Sequence, residues 1–282
     1  MRELPGKRKK NRNGQMSRKT TGYGMPTKLS ALALAIQLSS GIVWAGPEGG
    51  VVKGGAGSIS AAGITTTIEQ LSNRMAIDWQ SYDVAAGERV NYIQPSSSSI
   101  FLNRILSNSG SKIHGQINAN GHVILMNPHG VVFGKNSTVN VGGLLASGLN
   151  IEADAFMNGD FALTALEGGE GRVINSGIIN ASTGGSVSLV GKQVENNGLI
   201  VANLGRVNLA AGNEAVVTFD NDGLMGVRVT KEVLQGDIGV DAAVVNNGEI
   251  VARFLLGPLN FSPIKSHQGA VSRPCSHTFF VG

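Results

Sequence analysis

The chain has 282 residues, enough for one large domain or two ordinary ones, with 40 glycines, 5% aromatic and 15% charged residues. Glycine costs about 1 kcal/mol per helix position relative to alanine, so this composition excludes a helical bundle and suits many short strands separated by turns. The formal charge of +4 is an amino-terminal effect: nine of the 23 basic residues and one of the 19 acidic residues precede residue 46, leaving 14 basic against 18 acidic from Gly46 onward, which removes any nucleic-acid reading of the charge.

A Lys/Arg-rich stretch from Arg2 to Lys28 leads into the apolar segment Leu29 to Val43 and the small-residue site Val43-Trp44-Ala45. This predicts a secretory signal peptide over residues 1–45, cleaved between Ala45 and Gly46. A membrane anchor is the rival, but the 15 residues from Leu29 to Val43 include Gln37, Ser39, Ser40 and Gly41. That falls short of the ~20 apolar residues a span needs. The basic stretch is long, and Met16 and Met25 are alternative starts. The only cysteine, Cys275, lies near the end, so an exported form must hold itself together by burial and backbone pairing rather than by disulfides.

Gly46 to Ser60 is glycine-rich and is expected to cap the amino-terminal end of the fold, covering an otherwise open sheet edge. Short apolar or alternating runs follow: Val90–Ile93, Ser99–Leu102, His122–Met126, Val131–Phe133 and Ser186–Val190. Each is bounded by Gly, Asn, Ser or Pro, as strands bounded by turns should be. Residues 173–191 align with 194–212 without a gap at an offset of 21, a third copy begins at Val245, and Ile117–Leu125 repeats the second half with a shorter turn.

A unit of this size cannot bury its own apolar face and must stack on copies of itself. Two or three strands plus turns make one coil of a parallel β-helix, with coils ~4.8 Å apart. Ile179, Val187 and Leu189 are expected to recur at Ile200, Val207 and Leu209, and Asn175 to stack on Asn196 with their amides bonded along the axis. Gly177 and Gly198 are expected at corners needing φ > 0. A β-sandwich is the rival, though a 21-residue repeat without fixed Asn-Gly hairpins suits it less. The pattern stops in mid-repeat after Arg253. Residues 254–282 hold three of the eight prolines and Cys275 and match no repeat, as foreign or frame-shifted, unstructured sequence would, so the chain is expected to be a truncated form.

The segments Trp79–Pro95, Ile100–Ile105, Ile117–Gly134 and Val139–Ser147, in that order, closely resemble the two-partner-secretion domain. This is the filamentous-haemagglutinin amino-terminal domain of TpsA exoproteins, and the resemblance is nearest to the high-molecular-weight adhesin branch. It covers about Gly46 to Arg253. The resemblance implies an all-β fold, a right-handed parallel β-helix with an amino-terminal cap and a capping sheet. It also implies Sec export, recognition by a TpsB-type outer-membrane β-barrel transporter, and a secreted or cell-surface protein that travels via the periplasm and outer membrane. Host-surface contacts would belong to downstream regions. The family's signature Asn-Pro-Asn-Gly stands here as Asn127-Pro128-His129-Gly130, with His129 departing from the pattern.

By residue type these four fit a type I turn, with Pro at the second position and Gly at the exit. The motif either fixes a corner and its strand register or offers side chains to the transporter. His114, His122 and His129 lack metal-ligand spacing. Gly54-Gly-Ala-Gly57 lacks the strand and helix of a dinucleotide loop. Asn136-Ser-Thr138 and Asn180-Ala-Ser182 match a glycosylation sequon. No cofactor and no enzymatic activity are expected. The alternatives are the head of a haem-acquisition or contact-dependent toxin exoprotein and, less naturally, a polysaccharide-active β-helix enzyme, which would need clustered charges on one face. Coils are expected to stack one at a time at roughly 1–3 kcal/mol each, biasing movement out of the transporter.

Overall fold

The computed structural model describes residues 46–220, 225–233 and 242–252, and the backbone of strand Thr278–Val281. Residues 1–45, where a signal peptide is expected, and the rest of 254–282 lie outside the described residues.

Because apolar residues alternate over only three to six positions between glycine, serine and asparagine corners, the chain turns after each short strand and returns above itself. The result is a parallel β-helix with three faces. Face one stacks Arg74–Trp79, Ile100–Ile105, His122–Met126, Gly143–Ser147, Val187–Gly191 and Val207–Ala211. Face two stacks Thr65–Gln70, Arg89–Ile93, Gln116–Ala119, Thr138–Val141, Ile178–Ala181, Leu199–Val201 and Glu249–Val251. Face three stacks Ser111–Ile113, Val131–Phe133, Arg172–Asn175, Gln193–Asn196 and Val244–Asn246.

Inward side chains line up from coil to coil. One ladder runs Met75, Phe101, Val123, Leu144, Val187, Val207, and another Val90, Ile117, Val139, Ile179, Ile200, Ile250. Both lie in a single apolar core. Asn175 Nδ2 donates to Asn196 Oδ1 (2.8 Å), and Asn196 Nδ2 to Asn246 Oδ1 (2.7 Å), giving the amide stack expected from the repeat. A second stack, not expected from the sequence, runs along the outside of face two through Asn91, Asn118, Asn140 and Asn180.

The amino-terminal cap is present. Val51–Gly54 runs antiparallel to Arg74–Trp79, and Gly57–Ala62 antiparallel to Thr65–Gln70, so the first coil shows neither sheet a bare parallel edge. The backbone of Thr278–Val281 lies antiparallel to Val207–Ala211.

Two expectations need correction. The offset between the last full repeats is 21 residues on faces two and three but 20 on face one, where Val187 pairs with Val207. The turn between faces two and one is one residue shorter in the later coil. Gly184 has φ 80° in the earlier turn, and Leu204 takes the left-handed conformation (φ 55°) in the shorter one. Gly177 and Gly198 are not at positive φ. They are glycines because a Cβ on Gly198 would lie 2.1 Å from the Gly177 carbonyl oxygen, and one on Gly177 would lie 2.1 Å from Ser137 Oγ. Close stacking of corners, rather than backbone handedness, excludes a side chain there.

Face one is also buried on its outer side. The chain leaves the coil after Ser147 to form helix Ala153–Asn158 and strand Ala162–Thr164, and leaves again after Ala211 to form the hairpin Glu214–Phe219/Met225–Lys231. The three strands make an antiparallel sheet, and with the helix they bury Leu102, Ile124, Met126 and Leu145 in a second core. Arg104 holds the helix entrance: Nε and Nη2 bond both oxygens of Asp78 (2.7 and 2.8 Å), and Nη1 reaches Glu152.

His122 sits in this second core, 6% exposed, edge-on to the Phe219 ring at 5.9 Å. Its Nδ1 has no hydrogen-bond partner among the described residues. Burial lowers its pKa below the ordinary 6.5, so the folded state favours the neutral ring. Its contribution to stability is complete above 6.5 and is lost as the pH falls through the lowered folded value. Urea midpoints should therefore drop on going from pH 7.5 to 5.5, and His122→Phe should flatten that dependence. A midpoint in the variant that drops as steeply as wild type would assign the effect to other groups.

The Asn127 corner as candidate functional site

The turn Asn127–Gly130 joins face one to face three, between His122–Met126 and Val131–Phe133. The Gly130 N–H donates to the Asn127 carbonyl (2.8 Å), closing a four-residue turn. His129, its third residue, is not at positive φ, which fits type I and excludes type II. Gly130 has φ 107°, and a Cβ there would also lie 3.0 Å from the Arg172 carbonyl oxygen, so the last position requires glycine.

Asn127 is fully buried. Its Nδ2 donates to the Ser109 carbonyl (3.0 Å) and to Ser111 Oγ (3.0 Å), and its Oδ1 accepts from the His129 N–H (2.9 Å). The side chain thus ties its own turn to the coil before. Pro128 is buried too, and its carbonyl accepts from the Gly171 N–H (2.9 Å) of the coil after. Of the four residues only His129 is partly exposed. It borders a shallow groove whose wall includes Asp83, Lys112, Val132, Glu170 and Arg172.

In the folded domain Asn127 and Pro128 are therefore spent on internal contacts, and His129 alone can meet another molecule. The anchors Ser109 and Ser111 carried no sequence signal, because nothing in a serine-rich loop says which hydroxyl will face a corner 16 residues on. The other two histidines lie in separate surroundings, His114 exposed beside Gly134 and His122 in the second core. Of the sequon residues, Asn136 is exposed, whereas Asn180 donates to Asn140 (2.9 Å) in the outer amide stack. Gly46 is the first described residue, and Ala45 lies outside the described residues.

A capped parallel β-helix with one face roofed by an extra-helical sheet, and with a buried Asn-Pro corner binding three successive coils, defines a roofed β-solenoid module. The chain belongs to the TPS secretion domain family, whose model matches residues 45–251. It is 33% identical over 214 residues to a heme/hemopexin-binding protein of Haemophilus influenzae strain Rd, covering 73% of this chain and 23% of that protein. A second heme/hemopexin-binding protein of Haemophilus influenzae is 38% identical over 86 residues, 30% of this chain and 9% of that one. Among solved structures, the HMW1 secretion domain from Haemophilus influenzae superimposes with a TM-score of 0.64 at 27% identity, covering 74% of this chain and 54% of that one. The chain spans less than a quarter of the length of these curated relatives. It carries the export-directing domain of a two-partner-secretion exoprotein.

Proposed function

We propose that this domain is read by a TpsB-type outer-membrane β-barrel transporter, after Sec-dependent passage behind a signal peptide cleaved between Ala45 and Gly46. The Asn127–Gly130 corner serves export through its shape rather than through side-chain contacts. The supporting observation is the end-to-end match of the solenoid, residues 45–251, to a secretion-domain family. Burial of Asn127 and Pro128 favours shape over contact.

Secretion of the chain should be compared in cells with and without a cognate transporter. It should require the transporter, and His129→Ala should leave it within about twofold of wild type, because the turn's hydrogen bonds use only the backbone of residue 129. Equal secretion in both strains would refute the export assignment. Loss of secretion by His129→Ala at unchanged stability would make the imidazole a contact.

For the cargo that such a domain heads, we infer a surface adhesin or haemagglutinin-like exoprotein. The names of the curated relatives favour a second reading, haem or hemopexin capture. Cell adherence against retention on immobilised haem and hemopexin distinguishes the two. The domain itself acts in export, not in catalysis.

A further inference from the structure

In a simple solenoid each coil touches only its neighbours, so stability accrues coil by coil. This domain departs from that rule along face one. In the strands His122–Met126, Gly143–Ser147, Val187–Gly191 and Val207–Ala211 every residue is buried, on both sides of the sheet. The outward row Ala76, Leu102, Ile124, Leu145 is an apolar strip crossing four coils. Its cover comes from later in the chain, from Phe156 and Leu163 in the first excursion and from Ala215, Val217, Met225 and Val227 in the hairpin.

The hairpin is fastened at points far apart along the axis. Leu163 pairs with Ala215, and the Val217 N–H donates to the Phe161 carbonyl (3.1 Å). The Met225 N–H donates to Ser186 Oγ (3.1 Å), and Asn208 Nδ2 donates to the Met225 carbonyl (3.1 Å). Phe219 packs on His122 and on Phe161, whose ring lies under the Arg74 guanidinium at 5.5 Å. One element thus contacts coils that never touch one another.

We propose that the Glu214–Lys231 hairpin is a latch that makes the whole capped solenoid fold as one cooperative unit, replacing stepwise accretion of coils. Until residue 231 is available the strip lacks the part of its cover that Ala215, Val217, Met225 and Val227 supply, and the earlier coils lack the packing of Phe219 on His122 and Phe161. Where the export assignment above holds, the main outward pull would come in a single late step, after most of the domain has crossed. The test below uses purified protein and does not depend on that assignment.

Native-state hydrogen exchange of the full chain in sub-denaturing urea should place the amides of Val227, Leu102 and Ile124 on one unfolding isotherm. Val227→Ala, which removes two buried methyl groups from the hairpin alone, should speed exchange at all three by the same factor, about tenfold or more. Quickening confined to residues 214–231, or a wild-type hairpin that opens at lower urea than the coils, would show a local flap and overturn the proposal.

Discussion

Asn127→Ala is expected to lower the stability of the domain by about 2–5 kcal/mol and to depress export accordingly. The change empties a fully buried position and leaves the buried Ser111 hydroxyl and the part-buried His129 N–H without this partner, while the Ser109 carbonyl keeps its bond from the Ser107 hydroxyl (2.7 Å). Each orphaned buried group costs roughly 1–3 kcal/mol, less where water or a neighbour relaxes into the space. Pro128→Ala should cost under about 1 kcal/mol, because alanine also occupies the second position of a type I turn and the bond from the Gly171 N–H to residue 128 is made by the backbone. Urea unfolding of purified protein reads the first quantity, and secretion from transporter-bearing cells reads the second. If Asn127→Ala unfolds at the wild-type midpoint, the corner is not held as described. If it is destabilised yet exported normally, the corner's shape is irrelevant to export.

The second large effect lies in the first coils. Asn103 is the single polar side chain on the inner row of its face-one strand, between Phe101 and Ile105, and it is fully buried. Its Oδ1 accepts from Trp79 Nε1 (3.0 Å) and from the Tyr92 hydroxyl (2.8 Å), while its Nδ2 donates to the Ile124 carbonyl (3.1 Å). Since Tyr92 spends its proton on Asn103, the 2.6 Å contact between the two tyrosine hydroxyls must be donated by Tyr82. Burial pushes both phenols to higher pKa, so both remain protonated and the chain of donors is intact at neutral pH.

Asn103→Leu keeps the branched shape and removes the acceptor, leaving an indole N–H and a phenol O–H unpaired. A loss of about 2–5 kcal/mol should follow. Trp79 fluorescence during urea unfolding measures it directly. A variant within 1 kcal/mol of wild type would mean that water replaces the amide. Matched for stability with Asn127→Ala, Asn103→Leu is also the control for export: equal secretion defects trace both to folding, and a larger defect at Asn127 points to the corner itself.

The sequence by itself determined the coil. A repeat of about 21 residues with apolar positions at period two cannot bury its face except on a copy of itself, and the asparagines at 175, 196 and 246 bond along the axis because the repeat puts them in register. The glycine-rich cap and the Asn-Pro turn were legible from residue type, the turn through Pro at its second position and Gly at its exit, but the anchors of both lie far along the chain, Asp78 opposite Val51 and Ser109, Ser111 and Gly171 around the corner. Local sequence could not tell why Gly198 is glycine, since the clash that excludes a side chain comes from the coil below. Nor could it tell that the turn at Leu204 drops a residue.

Face one shows the limit most clearly. The unbroken apolar run His122–Met126 departs from alternation because both sides of the strand are buried, a pattern that reports burial without naming the cover. Only the tertiary structure assigns that cover to the helix Ala153–Asn158 and the hairpin Glu214–Phe219/Met225–Lys231, far along the chain. Their match to the strip depends on contacts between distant segments, and no local period encodes those.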